Sequence, residues 1–374
     1  MSVFIGPTNI ISPLGYTTRE NFDALLQDKM GVKQQHFSFS EAPFCCSKLD
    51  DTLIEEHFST LSSSTEYTQL EKMCILSIQD VVSQSGVNLK DKESLLIIST
   101  TKGNIDVLEG AYKNIDPKRA YLSAFAKTIG DYFNSVNTPV LVSNACISGL
   151  LTIIIGKRYI ESGLYKNVIV CGGDIISEFT LSGFKSFNAL SDAPSKPFDK
   201  SRVGINLGEA ASSVLLSAFQ SSDIKILAGS SANDANHISG PSRTGDGLFQ
   251  AISNTLADAG VSSVDYISAH GTATEYNDEM ESIAFSRAGL QATPLNSLKG
   301  YYGHTLGAAG VLETVIAIES LRSNMLIRSA GFEQTGTSKE LNLIKTTEAK
   351  ALRSFLKTAS GFGGCNAAAV FEKI

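Results

Sequence analysis

Short apolar runs alternate along this chain with longer stretches in which apolar positions recur at helical spacing. In the first part, residues 2–5, 94–99, 138–142, 167–171 and 211–216 read as strands. Residues 19–26, 66–85 and 150–155 read as helices; the second of these places Leu70, Met73, Cys74, Ser77, Ile78, Val81 and Val82 on one face. The alternation then repeats. Residues 224–228, 264–268 and 367–372 read as strands, 245–259, 277–288 and 308–321 as helices, and 351–360 runs into a glycine-rich turn. Between these elements, 30–65 reads as polar, loop-rich surface, 106–135 as helix broken near Pro117, and 175–208 as a long turn-rich excursion.

Strands alternating with helices predict an α/β fold with largely parallel, buried sheets. The pattern divides into two similar halves, 1–220 and 221–374, with no low-complexity linker between them, so one compact body is expected. No short-period repeat is visible.

Composition narrows the function classes. The 374 residues carry a formal net charge of −7, with 43% hydrophobic and 18% charged residues, as in ordinary globular proteins. That balance argues against a general nucleic-acid binder, which needs a basic face. The N-terminus lacks the basic and apolar regions of a secretory signal, and no apolar run is long enough to span a bilayer. Six cysteines show neither CxxC nor other metal-type spacing. A cytoplasmic protein with reduced thiols and no membrane span is therefore expected.

One of those cysteines stands apart. Cys146 lies where the apolar run 138–142 gives way, through small residues, to the helical stretch. Helix N–H groups and the positive dipole end at such a junction lower a thiol's pKa and favour thiolate. On this segment alone two readings are open, an activated nucleophile or a buried structural cysteine. Three more polar stations sit at strand ends or in glycine-rich turns, where α/β folds place their sites. They are His270 in AHGTAT, Lys299 with His304 in LKGYYGHTLGAAG, and the turn GFGGCN at 361–366. Taken singly, each of these histidines is as readily structural as functional.

Seven segments, in order, resemble one family. They are IGPTNIISPLG, SNACISG, PFDKSRVGINLGEAASSVLL, DANHISGPSRTG, HGTATEYNDEMES, LKGYYGHTLGAAGVLE and SGFGGCNAA. The chain is identified on them as a member of the β-ketoacyl synthases of the thiolase superfamily, the condensing enzymes with a Cys-His-His triad. The resemblance implies a thiolase-like fold, two related βαβαβ-type halves in a five-layered αβαβα body. It implies decarboxylative Claisen condensation of a Cys-bound acyl group with malonyl-acyl-carrier protein, elongating a fatty acid, polyketide or polyene chain.

The resemblance also implies roles. Cys146 matches the nucleophile that carries the acyl group, and His270 and His304 match the two histidines that polarise the malonyl thioester carbonyl. Lys299 matches the lysine supporting that network and Glu313 the glutamate beside it. Asp278 and Glu281 match acidic residues that order the scaffold. The backbone N–H groups of Cys146 and Phe362 match the oxyanion hole, and Phe362 also matches the gate on the acyl pocket. No metal or diffusible cofactor is implied, because the phosphopantetheine arm arrives on the carrier protein. The implied partners are that carrier protein and a second subunit, identical or a related ketosynthase-like chain.

The physics of the reaction suits these residue types. A thiolate is both nucleophile and leaving group. Loss of CO2 leaves an enolate oxygen that two neutral imidazole N–H donors stabilise. His304 stands where chain-starting, acyl-CoA-using relatives have Asn, which points to elongation. Two competing functions are a non-catalytic chain-length subunit, against which the retained Cys146 argues, and a thiolase-like enzyme acting on CoA esters. Ala273 replaces the usual Gly or Ser, Cys365 replaces the usual Thr and raises the option of a second thiol near the site, and the stretch before the nucleophile is short for the family. His237 and Cys171 are expected to be structural. Lys113, Lys118, Arg119 and Lys127 form a loose basic cluster, normally a solvated face and alternatively a carrier-protein dock.

Overall fold

The first strand, β1 (Val3–Ile11), is buried along most of its length, and a tight Ser12–Gly15 turn hands it to α1 (Thr18–Leu26). Thr17 and Glu20 cap that helix reciprocally. These elements belong to a computed structural model that describes residues 2–374 except 65, 221 and 235.

The stretch expected to be loop contains β2 (Lys33–Gln35), β3 (Phe44–Ser47) and α2 (Asp51–Ser59). It hid from the pattern because β2 is wholly polar and α2 buries only Ile54 and Phe58. Next come α3 (Gln69–Ser85), opened by a Thr68–Glu71 capping box and closed by left-handed Gly86, and β4 (Ser94–Ser99). The stretch expected to be broken helix holds only α4 (Leu122–Tyr132) beyond two single 3-10 turns at 105–107 and 117–120. Gly110, at a left-handed φ of 80°, ends the first of those turns and interrupts the apolar spacing of Val107, Ala111 and Ile115. The half is completed by β5 (Val140–Val142), α5 (Ser148–Glu161), β6 (Asn167–Asp174), α6 (Glu178–Ser186), β7 (Leu207–Gly208) and β8 (Ala210–Ser217).

The second half begins with β9 (Ile224–Asn233), α7 (Asp246–Ala259), β10 (Tyr266–Ser268), α8 (Glu275–Arg287) and β11 (Leu295–Asn296). It ends with α9 (Lys299–Tyr302), α10 (Ala309–Ser323), the short pair β12 (Met325–Leu326) and β13 (Glu348–Ala349), then β14 (Ser354–Gly361) and β15 (Cys365–Lys373).

Ten strands form one sheet in the order β11-β10-β14-β15-β9-β1-β8-β6-β4-β5. Read outward from the middle, β1-β8-β6-β4-β5 and β9-β15-β14-β10-β11 are the same arrangement. In each, the first strand of the half pairs antiparallel with the fifth, the fifth antiparallel with the fourth, and the remaining pairings are parallel. The halves join where β1 meets β9 antiparallel, Val3 opposite Ile226. The sheet is thus mixed where largely parallel strands were expected. An apolar run reports a strand buried on both faces and carries no information about the direction of its neighbour.

Three cores separate the layers. Ile98 and Leu96 face α3 and α4 through Leu70, Ile78 and Phe125. Leu356 and Ile267 face α7 and α8 through Leu248, Ile252 and Phe285. Between the two halves of the sheet, α5 and α10 meet through Leu150, Ile153, Val311 and Val315. The result is the thiolase-like αβαβα stack.

Candidate active site

The two central helices approach most closely at their starts. A Cβ on Gly149 would lie 2.8 Å from the Val311 nitrogen, and one on Gly310 would strike the Leu150 backbone. Only glycine permits that approach, and it brings the turn before α5 against the turn before α10. Cys146 is in the first turn and His304 in the second.

The elbow that presents Cys146 is tightly held. Ala145 takes a left-handed φ of 45°, a conformation non-glycine residues keep only when their surroundings enforce it. Ser148 enforces it here, its Oγ accepting from the Asn144 N–H at 2.7 Å and donating to the Ala145 carbonyl at 2.6 Å. From the other half, the β14–β15 turn closes down so far that a Cβ on Gly361 would lie 2.9 Å from the Cys146 nitrogen. The Phe362 backbone N–H faces the Cys146 sulfur and favours its thiolate.

Both histidines are buried, with ring centres 5.1 Å apart and planes near perpendicular. His304 Nδ1 accepts from the Leu306 N–H at 3.2 Å, so its proton sits on Nε2, and that buried Nε2 has no partner among the described residues. His270 Nδ1 lies 3.4 Å from the Lys299 ammonium, which has only protons to offer, so His270 also carries its proton on Nε2. Burial together with the Lys299 charge drives both imidazoles well below their ordinary range, keeping them neutral.

Acidic side chains fix the turns that carry these rings. Glu281 accepts from the N–H groups of His270 at 2.9 Å and Gly271 at 2.6 Å. Asp278 accepts from Phe198, Thr272 and Ala273. That last bond holds Ala273, buried at φ 63°, in a conformation that suits glycine better. Burial, and then the neighbouring Asp278, pushes Glu281 up to about 7. Glu313 bridges two buried lysines, Lys299 on Oε1 and Lys357 on Oε2, each at 2.6 Å. The excursion between β6 and β8 is more than a surface loop: the Asn206 carbonyl accepts from the His304 N–H at 2.7 Å.

The thiol and the two imidazoles converge, their sulfur and nitrogen atoms within 4.8 Å of one another. They open onto a cavity of about 410 Å³ whose mouth is lined by Phe362, Phe184, Phe187, Val203, Ile238 and Tyr276. Phe362 stacks on Phe184 and meets Phe187 edge-on, both at 5.6 Å.

One expectation changes. The helix start was expected to lower the Cys146 thiol pKa. Burial instead pushes it up, outweighing Lys102, Lys299 and the Phe362 N–H, which act against it. The Cys365 thiol does lie near the site, close enough for Cys146 to join burial in pushing it up to about 12, and it points to the carbonyls of Phe362 and Asn144. In the basic cluster, Arg119 is committed to buried Glu71, and Lys127 pairs with Asp131 on the exposed face of its own helix, in keeping with a solvated surface. Cys171 is buried in β6, and His237 lies exposed at the cavity mouth.

Two residues of the site had no signal in the sequence reading. Asp174 ends β6 and accepts from Thr100 and Thr101 at 2.9 Å and from the Gly307 N–H at 2.6 Å, tying the β4 turn to the His304 loop. Lys357 sits inside β14, a strand of mixed composition in which nothing set it apart.

Cys146, His270 and His304 could be taken for a metal-ligand set by proximity alone. A metal-binding imidazole needs its inward nitrogen bare and commonly gives its outer N–H to an acceptor. Here the outer nitrogens accept and the inner ones carry the protons, which makes a pair of hydrogen-bond donors.

Among the described residues no helix is long and apolar enough to cross a membrane. The N-terminal domain of β-ketoacyl synthases matches residues 80–221, and the C-terminal domain matches 225–333. A putative mitochondrial 3-oxoacyl-[acyl-carrier-protein] synthase of Schizosaccharomyces pombe is 26% identical over 422 aligned residues, covering 99% of each chain. 3-Oxoacyl-[acyl-carrier-protein] synthase 2 of Coxiella burnetii is also 26% identical, across 100% of this chain and 98% of its own. A solved ketosynthase in complex with its chain length factor, from Xenorhabdus doucetiae, shares the fold at a TM-score of 0.89 and 24% identity, covering 100% of this chain and 98% of that one. Matched by both domains of the family and along the full length of these synthases, the chain belongs to the β-ketoacyl synthases, transferases that condense acyl groups through a new carbon–carbon bond.

Proposed function

We propose that this chain elongates an acyl group with malonyl-acyl-carrier protein, using Cys146 as the acyl carrier and His270 and His304 as the donors to the enolate. The observation that supports this most is the pair of neutral Nε2–H imidazoles beside a thiol at the floor of one cavity.

In the first step the Cys146 sulfur attacks the acyl thioester of a carrier. The carrier's sulfur leaves and takes up the thiol proton. The backbone N–H groups of Cys146 and Phe362 serve the tetrahedral oxyanion. In the second step malonyl thioester loses CO2, and the electron pair moves onto the thioester oxygen between the two imidazole donors. In the third the enolate carbon attacks the acyl carbonyl, and Cys146 departs as thiolate and regains a proton. Lys299 keeps His270 in its donor tautomer, Glu313 orients Lys299, and Asp278 and Glu281 hold the His270 turn. Phe362, in its aromatic stack, gates the acyl pocket. The chemistry draws on no metal or diffusible cofactor; the phosphopantetheine arm is the carrier's own.

The same reading divides the chain into halves at 220/221 and makes it one subunit of a dimer. The free outer edge of β5, the last strand of the sheet, supports an interface there. The likeness to a ketosynthase held with its chain length factor supports a related chain as partner, and the retained Cys146 makes this the catalytic member.

Intact-mass measurement after incubation with acyl-carrier protein tests the reading. Wild type is expected to gain one acyl group and the Cys146→Ala variant none. A wild type that stays unacylated on carrier substrates would end the enzyme reading, and turnover on CoA esters alone would move it to a thiolase-like one.

A further inference from the structure

Glu313 is a single buried carboxylate facing two buried ammonium groups, and only one of them has a part in the reading above. Lys357 enters from β14, with its side chain fully buried. Its Nζ donates to Glu313 Oε2 at 2.6 Å, to the Ser268 carbonyl at 3.1 Å and to the Ala269 carbonyl at 3.3 Å. Those carbonyls are the last two before His270. Lys299 takes the other carboxylate oxygen, the His270 carbonyl at 2.7 Å and the face of His270 Nδ1.

Burying two cations against one anion is costly, and a fold keeps such an arrangement only where each ion is fully hydrogen-bonded. That condition is met here. Burial lowers the Lys357 ammonium from its ordinary range and Glu313 works against that; with both lysines charged, the site behind His270 is net positive. A second proton placed on that ring would make it a third cation in a low-dielectric site.

We propose that Lys357 is a positioning residue of the condensation: by sharing Glu313 and gripping the strand that leads into His270, it keeps Lys299 against Nδ1 and holds the imidazole as a neutral Nε2–H donor. The inference rests on the role assigned to His270 above. The charged and titratable groups facing that residue are Lys299 from α9, His304 from the loop before α10, Lys357 from β14, Cys146 before α5, Glu281 from α8 and Glu313 from α10. Burial and the lysines lower the histidine; Glu281 is spent on backbone N–H groups. Removing Lys357 leaves Glu313 and Lys299 as a neutral pair, so His270 charges at a higher pH. A charged ring would pair with the malonyl carboxylate and stabilise the ground state, which slows loss of CO2.

The test compares wild type with Lys357→Gln, which keeps a donor and drops the charge, and Lys357→Met, which drops both. Histidine carbon-13 NMR follows the pH at which His270 charges, and CO2 release from malonyl-carrier protein is measured across the same range. In both variants His270 is expected to titrate at higher pH than in wild type. The acid limb of CO2 release should move with it, roughly tenfold for each unit. A uniform loss of rate, with the NMR titration and the limb unmoved, overturns the inference. Should neither variant keep a cooperative unfolding transition, nitrogen-15 lysine spectra of wild type decide: two buried ammonium signals at neutral pH support it, and a neutral Lys357 amine overturns it. Wild type that releases no CO2 at all would instead break the underlying role of His270, while the NMR titration still reports on Lys357.

Discussion

The two halves of this protein share one strand arrangement and bring different groups to one cavity. After the third strand of its half, the first presents Cys146 at the start of α5; at the matching place before α10, the second presents His304. After its second strand the first half has Thr100 and Thr101, bound to Asp174, where the second has His270, bound to Glu281 and Lys299. Between its fourth and fifth strands the first half makes a long excursion, and the second makes the tight Gly361–Gly364 turn. In the proposed reaction one half supplies the nucleophile, the other the donors and the charge that keeps them neutral. Duplicated topology therefore sets where functional groups can meet and leaves their chemistry to individual residues.

Separating the two chemistries should give the largest effects. His304→Ala is expected to lower CO2 release from malonyl-carrier protein by about 10²–10³-fold, the usual cost of one oxyanion donor, while Cys146 still takes up an acyl group. Cys146→Ala should show the opposite: no acyl-enzyme by mass, with CO2 release surviving because both imidazoles remain. If either variant lost both activities equally, the division of labour between the halves would be wrong.

A smaller effect should come from the seam. A side chain at Gly310 meets the backbone of α5, so Gly310→Val is expected to lower stability by about 1–3 kcal/mol through overpacking. Urea unfolding measures that, and an unchanged midpoint would mean the helices are not locked at their starts.

The smallest effect is on pH dependence, with one carboxyl from each half. Burial raises Glu209 in the first and Glu281 in the second to about 7. A carboxyl whose folded value lies above its unfolded one holds its proton longer in the folded state. Stability from these two groups is then present below the unfolded value near 4.5 and is lost as pH rises toward 7. Glu209→Gln should flatten its share of that fall in urea midpoints taken across the window; a slope identical to wild type would show that Glu209 does not titrate there.

Much of this was legible in the chain. Long helices such as α3 and α10 and buried strands such as β4 and β6 announce themselves because each places apolar groups at its own period. Elements that bury little, such as β2, α2 and the 3-10 turns near Pro117, leave no such trace. Among the site residues, Cys146, His270, Lys299, His304, Asp278, Glu281, Glu313 and Phe362 stood in segments that resemble a family, and the fold gathers all of them around one cavity or behind it. Lys357 had no such segment: a lysine in a strand of mixed composition reads alike whether the strand lies at an edge or in the middle of a sheet.

The sequence by itself determined which groups exist and where chains turn: a cysteine before a helix, histidines after strands, glycines where backbones must touch. Tertiary structure alone decided their state. Which imidazole nitrogen carries the proton depends on Leu306 and Lys299 standing at the outer nitrogens. The Cys146 thiol moves up instead of down because burial, a property of the whole fold, outweighs the local charges. Protonation and electrostatics follow from distances between residues far apart in the chain, and those distances come into being only when the two halves close on each other.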